Sequence, residues 1–173
     1  MRPPRPNPYR DAWCGELDAG RVGESVRLAG WVHRRRDHGG LVFIDLRDRS
    51  GIVQLVFHPE TAPDPHALAQ RLRSEHVRSV AGEVVRREEG NVNPRLRTGE
   101  IEVTVAEADV LAESETPPFP IDEERPVDEL IRLRNRMLDL RREGMQEAIL
   151  LRHTVVRAMR DHLNANDFVE TLP

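Results

Sequence analysis

The sequence contains no lysine: all 26 basic residues are arginines, in a chain of 173 residues with 30 acidic ones. Arginine binds through a planar fork of donors and stacks on flat rings, which favours bidentate contacts over point-charge contacts. A GC-rich coding sequence produces the same bias and is the simpler explanation. The formal net charge of −4 argues against a protein that binds its partners through an overall basic surface.

Cysteine is scarce, and metal-ligand motifs and long apolar runs are missing. The single Cys14 excludes an internal disulfide and a cysteine-based zinc site. The histidines have no metal-binding spacing, so we assign them no ligand role. No stretch approaches the ~18 apolar residues of a membrane span, and the N-terminus lacks the apolar core of a signal peptide. We therefore expect a cytoplasmic location.

The charges are distributed unevenly along the chain. Residues 21–58 contain seven arginines and four acidic residues, a local excess of +3. Residues 113–147 contain ten acidic residues and six arginines, a local charge of −4. The sequence therefore predicts a basic N-terminal region followed by an acidic one.

The stretch 30–57 combines a triple arginine, a Gly-Gly turn and two apolar strands. Side chains of a strand alternate between its two faces, so Val42 and Ile44 share one face while Phe43 and Asp45 share the other. An aromatic ring beside a carboxylate, close after three arginines, suggests a platform on which nucleic-acid bases stack. Burial of Phe43 in an ordinary core is equally compatible with the pattern.

The hydrophobic pattern predicts a small β-barrel. Gly30 and Gly82 interrupt their strands, as glycines do where a sheet bends or bulges to close. Five strands with one inserted helix indicate an all-β Greek-key barrel of the oligonucleotide/oligosaccharide-binding (OB) type, whose second and third strands bind single-stranded nucleic acid. The strands are expected at 25–36, 41–47, 51–57, 77–87 and 101–105, and the helix at 66–75.

The segments that flank the barrel have a different composition. The N-terminus is rich in proline, and 113–126 is rich in proline and acidic residues, as linkers are. Apolar residues at helical spacing then predict one helix from residue 127 and a second over 145–164. We expect a disordered extension at 1–13, the OB domain at 14–112, a linker at 113–126 and C-terminal α-helices at 127–173.

The stretch GWVHRRRDHGGLVFIDLRDRSGIVQLVF resembles the anticodon-binding barrel of bacterial aspartyl-tRNA synthetases. The resemblance continues through GNVNPRLRTGEIEV, ETPPFPID and LRNRMLDLRREGMQ, and spans nearly the whole chain from Tyr9 onward. It implies class II synthetase ancestry, with tRNA-Asp as partner. His38 and the Gly90-Asn91 pair resemble synthetases that also charge tRNA-Asn, although His38 could simply cap its hairpin.

The resemblance also implies roles for individual residues. Phe43 would stack on the central uracil of the anticodon, and Gln54 would hydrogen-bond to anticodon bases. Arg36 would contact a base or the backbone, while Asn91 and Glu102 would read the first base. Glutamate can accept from the N1–H and amino group of guanine, which fits this role. Gln54 and Glu102 could equally be solvated strand residues. Asp45, Arg47 and Asp48 are expected to form a structural ion-pair group.

Departures from the family pattern fall after the barrel. Asn135 and Met137 stand where the family shows tyrosines, and Glu143-Gly144 replaces Pro-Glu. The arginine motifs for ATP, the aspartate-binding residues and the Mg²⁺ carboxylates are absent, so this chain should be inactive alone. No cofactor is expected here; ATP and Mg²⁺ belong to the complete enzyme, which is a homodimer in the family. The alternative is a stand-alone truncated paralogue acting as a non-catalytic RNA-binding or regulatory module.

Overall fold

A computed structural model describes residues 4–5, 7–121 and 126–171 of the chain. The chain divides into two compact units, Met1–Thr116 and Pro117–Pro173. Among the described residues, none of the helices combines the length and the apolar character needed to cross a membrane.

The first unit is a closed barrel of five strands in the order β1-β2-β3-β5-β4. All neighbouring strands are antiparallel except β3 and β5, which are parallel. A short helix, α1 (Pro63–Ala69), connects β3 to β4. The predicted five-stranded OB barrel with one inserted helix is therefore confirmed. Its strands are β1 (Ser25–His38), β2 (Leu41–Asp48), β3 (Gly51–Phe57), β4 (Val77–Arg86) and β5 (Ile101–Ala112).

The pleat of each strand determines which side chains fill the barrel. In β2, Val42, Ile44 and Leu46 are at most 2% exposed and belong to the core, while Phe43 lies outside that cluster. Buried aliphatic side chains of all five strands complete the core, so that its stabilisation is mainly hydrophobic. The alternation predicted for β2 is thus observed, and it directs Phe43 to the outer surface.

Two glycines allow the strands to approach one another closely. A Cβ on Gly82 would lie 2.2 Å from the backbone oxygen of Thr104, and the β4–β5 register shifts at Ala81/Gly82. A Cβ on Gly30 would lie 2.4 Å from the backbone oxygen of Arg47. The expected bulge is present at Gly82, whereas Gly30 serves close packing and the β1 irregularity lies further on, between 32 and 34.

Several boundaries differ from the sequence expectations. Helix α1 occupies 63–69 rather than 66–75, because proline is favourable in the first helical turn. Strand β5 extends to Ala112, seven residues beyond its clean alternation, through pairing with β4. Within the expected disordered extension, Ala12 is buried and the Asp11 backbone N–H donates to the Arg27 carbonyl at 2.9 Å. Residues 1–3 and 6 of that extension lie outside the described residues.

The second unit contains three helices: α2 (Glu129–Arg134), α3 (Arg136–Asp139) and α4 (Glu143–Asn164). The single helix expected from residue 127 is broken at Asn135, whose backbone leaves the helical region. Helix α4 matches the second expected helix, and its apolar residues, such as Leu150, Leu151 and Met159, are exposed. Residues 122–125 of the predicted linker and the last two residues lie outside the described part.

The connection between α2 and α4 is held together by a buried carboxylate. Asp139 is fully buried, and Arg132 donates to its Oδ1 at 2.8 Å. Arg136 donates to Oδ2, and the Arg142 guanidinium lies 3.9 Å from Oδ1. The hydrogen bond from Arg132, together with the charges of all three arginines, holds the pKa of Asp139 below its ordinary value of 3.8.

We predict that a substitution at Gly82 destabilises the barrel. In Gly82→Ala the new methyl group would overlap the Thr104 backbone, so the free energy of unfolding should fall by about 1–3 kcal/mol. Both tryptophans lie in the barrel unit, so urea denaturation followed by tryptophan fluorescence reports on this unit alone. Gly90→Ala, where a Cβ meets no atom within 4 Å, is the matched control. A stability of Gly82→Ala equal to that of the control would contradict the assignment.

We also predict a pH dependence of the helical unit. Because the folded-state pKa of Asp139 is depressed, its stabilisation is complete above the ordinary value of 3.8 and is lost as the pH falls through the lower folded-state value. NMR titration of the Asp139 carboxyl carbon should give a midpoint below 3.8. The Asp139→Asn variant should differ from the parent in helix stability at neutral pH and converge with it in strong acid. A midpoint at or above the ordinary value would contradict this prediction.

Candidate nucleic-acid interface

The outer face of β1, β2 and β3 presents the residues that the sequence singles out. Arg36 of β1 is the register partner of Phe43 in β2, and Phe43 is the partner of Val56 in β3. Phe43 is partly buried, while Arg36 is exposed. Neither alternative for Phe43 holds in full: the ring is outside the barrel core, yet its surroundings cover part of it. A partly covered ring keeps a fixed orientation and can still offer a surface for stacking.

A chain of hydrogen bonds runs across this face from β1 to β5. The Arg36 Nη2 donates to Asp45 Oδ1 at 2.8 Å and, more weakly, to Gln54 Oε1 at 3.3 Å. The Gln54 Nε2 in turn donates to Glu102 Oε2 at 3.0 Å. Three predicted binding residues, Arg36, Gln54 and Glu102, are therefore neighbours on the folded surface. We refer to these residues, together with Asp45, as the outer-face network.

The network continues through Arg87 to the loop after β4. The Nε of Arg87 lies 3.8 Å from Glu102 Oε2 and donates to the carbonyl of Ile101 at 2.9 Å. Its Nη1 donates to the carbonyl of Asn91 at 3.5 Å. Asn91 ends a short 3-10 turn, Glu89–Asn91, and is exposed. Arg87 therefore connects Glu102 with the turn that carries Asn91, the other residue predicted to read the first base.

His38 lies apart from these groups. It ends β1, is exposed and pairs in register with Leu41 across the hairpin. Among the described residues, no hydrogen bond joins His38 to the outer-face network. The neighbouring Arg35 is held by Asp37 and by the carbonyl of Gln70, at 2.7 Å for the latter. The exposed, arginine-rich end of the β1–β2 hairpin therefore makes contacts of its own and does not share those of the outer-face network.

Asp45 and Arg87 belong to this site, although the sequence pattern did not predict either of them to contact RNA. Asp45 was assigned to a structural ion-pair group, although its position on the Phe43 face was recognisable from strand alternation. Arg87 carried no sequence signal, because a single arginine at the end of a strand resembles any solvated residue. Burial lowers the pKa of the Arg87 guanidinium, and the carboxylates of Glu102 and Asp45 act in the opposite direction.

The ion-pair group expected at 45–48 does not form as one unit. Asp45 pairs with Arg36 in the outer-face network, whereas Nη2 of Arg47 donates to both carboxylate oxygens of Glu75, at 2.8 and 2.9 Å. Asp48 is buried and accepts from the backbone N–H of Cys14 at 2.9 Å. Alternation separates Asp48, on the other side of the strand, from Asp45 and Arg47, which share one face but pair with residues of different elements. Arg47 and Asp48 are structural, as expected, but with separate partners.

A metal centre is not part of this interface. Within the ranges that the structure describes, no group of three or more histidine, cysteine or acidic side chains could hold a metal ion. Cys14, the one cysteine, is buried against the barrel core, and burial raises the pKa of its thiol. The outer face offers hydrogen bonding, ion pairing and ring stacking, which are the elements of single-stranded nucleic-acid recognition.

Two family models match the chain, one for each structural unit. Residues 26–111 match the family described as OB-fold nucleic acid binding domain. Residues 128–173 match the family described as tRNA synthetases class II (D, K and N). The fold and these matches define the class of protein: an OB-fold nucleic-acid-binding domain followed by the start of a class II synthetase catalytic domain.

Similar proteins narrow the class further. The chain is 63% identical over 164 residues to an aspartate–tRNA(Asp/Asn) ligase of Rubrobacter xylanophilus, covering 95% of this chain and 27% of that protein. It is 54% identical over 162 residues to the ligase of the same name from Moorella thermoacetica, covering 94% and 27%. The chain belongs to the aspartate–tRNA(Asp/Asn) ligase family, in which it corresponds to an N-terminal portion. It spans about 27% of the length of these curated relatives.

Solved structures share the fold. Asparaginyl-tRNA synthetase from Pyrococcus horikoshii superposes with a TM-score of 0.77 at 28% identity, covering 94% of this chain and 36% of that one. Aspartyl-tRNA synthetase from Entamoeba histolytica gives a TM-score of 0.80 at 21% identity, covering 91% and 38%. The second similarity establishes the fold alone, because its sequence identity is low.

Proposed function

We propose that the chain binds the anticodon loop of tRNA-Asp, and that of tRNA-Asn, as the RNA-recognising portion of an aspartate–tRNA ligase. The observation that carries this proposal is the line of Arg36, Gln54 and Glu102, hydrogen-bonded side by side on the outer barrel face next to Phe43. Relatives named aspartate–tRNA(Asp/Asn) ligase, aligned over more than nine-tenths of this chain, support the choice of RNA.

Phe43 supplies stacking in this proposal, and its neighbours supply hydrogen bonds. The central base, a uracil, stacks on the Phe43 ring, while the Gln54 amide offers both a donor and an acceptor to base edges. Arg36 is held by Asp45 and Gln54 in the free chain, so binding a base or phosphate requires it to exchange or share these partners. His38 contributes a hydrogen-bonding ring at the hairpin tip.

Glu102 is the group that selects the first base. Its Oε2 accepts a hydrogen bond from Gln54 Nε2 at 3.0 Å and lies 3.8 Å from Arg87 Nε. Among the described residues, Oε1 therefore has no such contact, and each carboxylate oxygen can accept more than one hydrogen bond. A guanine presents two adjacent donors, N1–H and the exocyclic amine, which a carboxylate can accept together. Asn91, exposed at the end of its turn, supplies a further polar group to the same base.

Aminoacylation belongs to the complete ligase in this proposal. The family uses ATP and Mg²⁺, and the described residues of this chain contain no carboxylate cluster suited to the metal. The matched start of the class II domain begins at residue 128, and its described residues include the three helices α2, α3 and α4. The homodimer expected for the complete ligase, through the exposed apolar side chains of α4, stays a prediction.

We predict that Phe43→Ala weakens binding of a tRNA-Asp anticodon stem-loop. Loss of one stacked base should cost about 1–3 kcal/mol, measured by isothermal titration calorimetry at one fixed salt concentration. Phe168→Ala, which removes an exposed aromatic ring from the second unit, is the matched control and should bind like the parent. Equal affinities of Phe43→Ala and the parent would contradict the stacking role.

We further predict that Glu102→Gln reduces the preference for guanine over adenine at the first anticodon position. The glutamine amide presents a donor where guanine needs an acceptor, so about 1–3 kcal/mol of discrimination should disappear. Glu107→Gln is a control of equal charge on the same strand, where the native carboxylate is exposed and pairs with Arg27 at 2.8 Å. If both variants keep the parent preference, Glu102 does not read this base.

A further inference from the structure

Arg87 occupies an energetically unfavourable position for a charged side chain. It follows β4 directly, and its side chain is only 3% exposed. Its Nη2 is buried and has no hydrogen-bond partner. Burying a guanidinium with an unsatisfied donor costs free energy that an apolar side chain of similar size would not cost. The fold alone therefore gives little reason for an arginine at this position.

The contacts that Arg87 does make involve both elements of first-base recognition. Its Nε donates to the carbonyl of Ile101, the residue before Glu102, and so fixes the backbone that carries the carboxylate. The same Nε lies 3.8 Å from Glu102 Oε2. Its Nη1 reaches the carbonyl of Asn91 at 3.5 Å. One rigid guanidinium plane thus fixes the position of β5 relative to the turn that ends at Asn91.

We propose that Arg87 is the positioning residue for the first anticodon base. It holds the Glu102 carboxylate and the Asn91 turn at the separation that a guanine requires. The proposal rests on the function proposed above, since it assumes that Glu102 and Asn91 contact that base. It makes Arg87 a determinant of specificity that acts through these two residues, without touching the RNA.

The planar fork is essential to this role. The guanidinium reaches Ile101 and Asn91 through two different nitrogens with a fixed relative geometry. A lysine ammonium is a single point on a flexible stem and cannot reproduce both contacts at once. Arg87→Lys therefore keeps the charge near Glu102 while loosening the turn, which separates the effect of positioning from that of charge.

The chain offers a matched control in Arg78, at the other end of β4. Arg78 is buried as well, with 3% of the residue exposed against 6% for Arg87. Its Nε and Nη1 are buried without a partner, and its Nη2 is 3.0 Å from His76 Nδ1. None of its contacts involves Glu102 or Asn91. Substitution of either arginine perturbs a buried guanidinium, but only Arg87 should affect the choice of base.

The experiment measures affinities for two anticodon stem-loops that differ only in guanine or adenine at the first position. The Arg87→Met, Arg87→Lys and Arg78→Met variants of the 173-residue chain are compared with the parent at fixed salt. We expect Arg87→Met to lower the guanine/adenine affinity ratio about fivefold or more, which corresponds to the lower end of a lost bidentate base contact, and Arg87→Lys to lower it less, about threefold. Arg78→Met should leave the ratio unchanged, and tryptophan fluorescence checks that each barrel is folded.

One further measurement, on a double variant, tests whether Arg87 and Glu102 act together. In the Glu102→Gln background, Arg87→Met should lower the ratio no further, because the two residues act as one unit. An unchanged ratio in folded Arg87→Lys, equal effects of Arg87→Met and Arg78→Met, or independent effects in the double variant would each overturn the proposal. A parent chain that binds both stem-loops equally would instead overturn the function proposed above, so the two failures are distinguishable.

Discussion

The short parallel pairing between β3 and β5 is the contact on which the interface depends. It consists of the register pairs Leu55–Val103 and Val56–Thr104, and it closes a barrel whose other pairings are antiparallel. Since residues 54 and 102 precede these pairs on neighbouring strands, the same pairing places Gln54 beside Glu102, 3.0 Å apart between Nε2 and Oε2. The strand pairing that closes the barrel core therefore also brings Gln54 and Glu102 of the outer-face network together.

The electrostatics of the outer face follow from alternating charges in close contact. Arg36 lies against Asp45, and Arg87 lies near Glu102, with the neutral Gln54 between the two pairs. Each acidic group is thus matched by a guanidinium, so the face is polar without a large net charge. Such a surface suits recognition of base edges by hydrogen bonding, whereas sequence-independent binding of phosphates depends on an excess of positive charge. This local arrangement explains how a chain of net charge −4 can be a candidate for RNA binding.

Strand alternation made much of the barrel predictable. It separates Val42 and Ile44 from Phe43, and the structure places the first two in the core and Phe43 outside it. The ends of the helices were harder to predict from the sequence. Helix α1 lies at Pro63–Ala69, earlier than expected. Asn135 breaks a segment whose apolar spacing predicted one continuous helix. The full length of β5 could not be predicted from the sequence, because residues 106–112 lack the alternation of 101–105. These residues form a strand because they pair with β4.

The sequence by itself determined the barrel, its inserted helix, its family resemblance and six candidate binding residues, because alternation and motif spacing are local properties of the chain. Only the tertiary structure decided which candidates meet. It joined Arg36, Gln54 and Glu102, left His38 apart on the hairpin, and added Asp45 and Arg87. Arg87 lies 15 residues before Glu102 in the sequence, and its meaning depends on the depth at which folding buries it and on the carbonyl groups placed within its reach. Burial and contacts between distant residues are properties of the closed barrel, and a sequence pattern does not contain them.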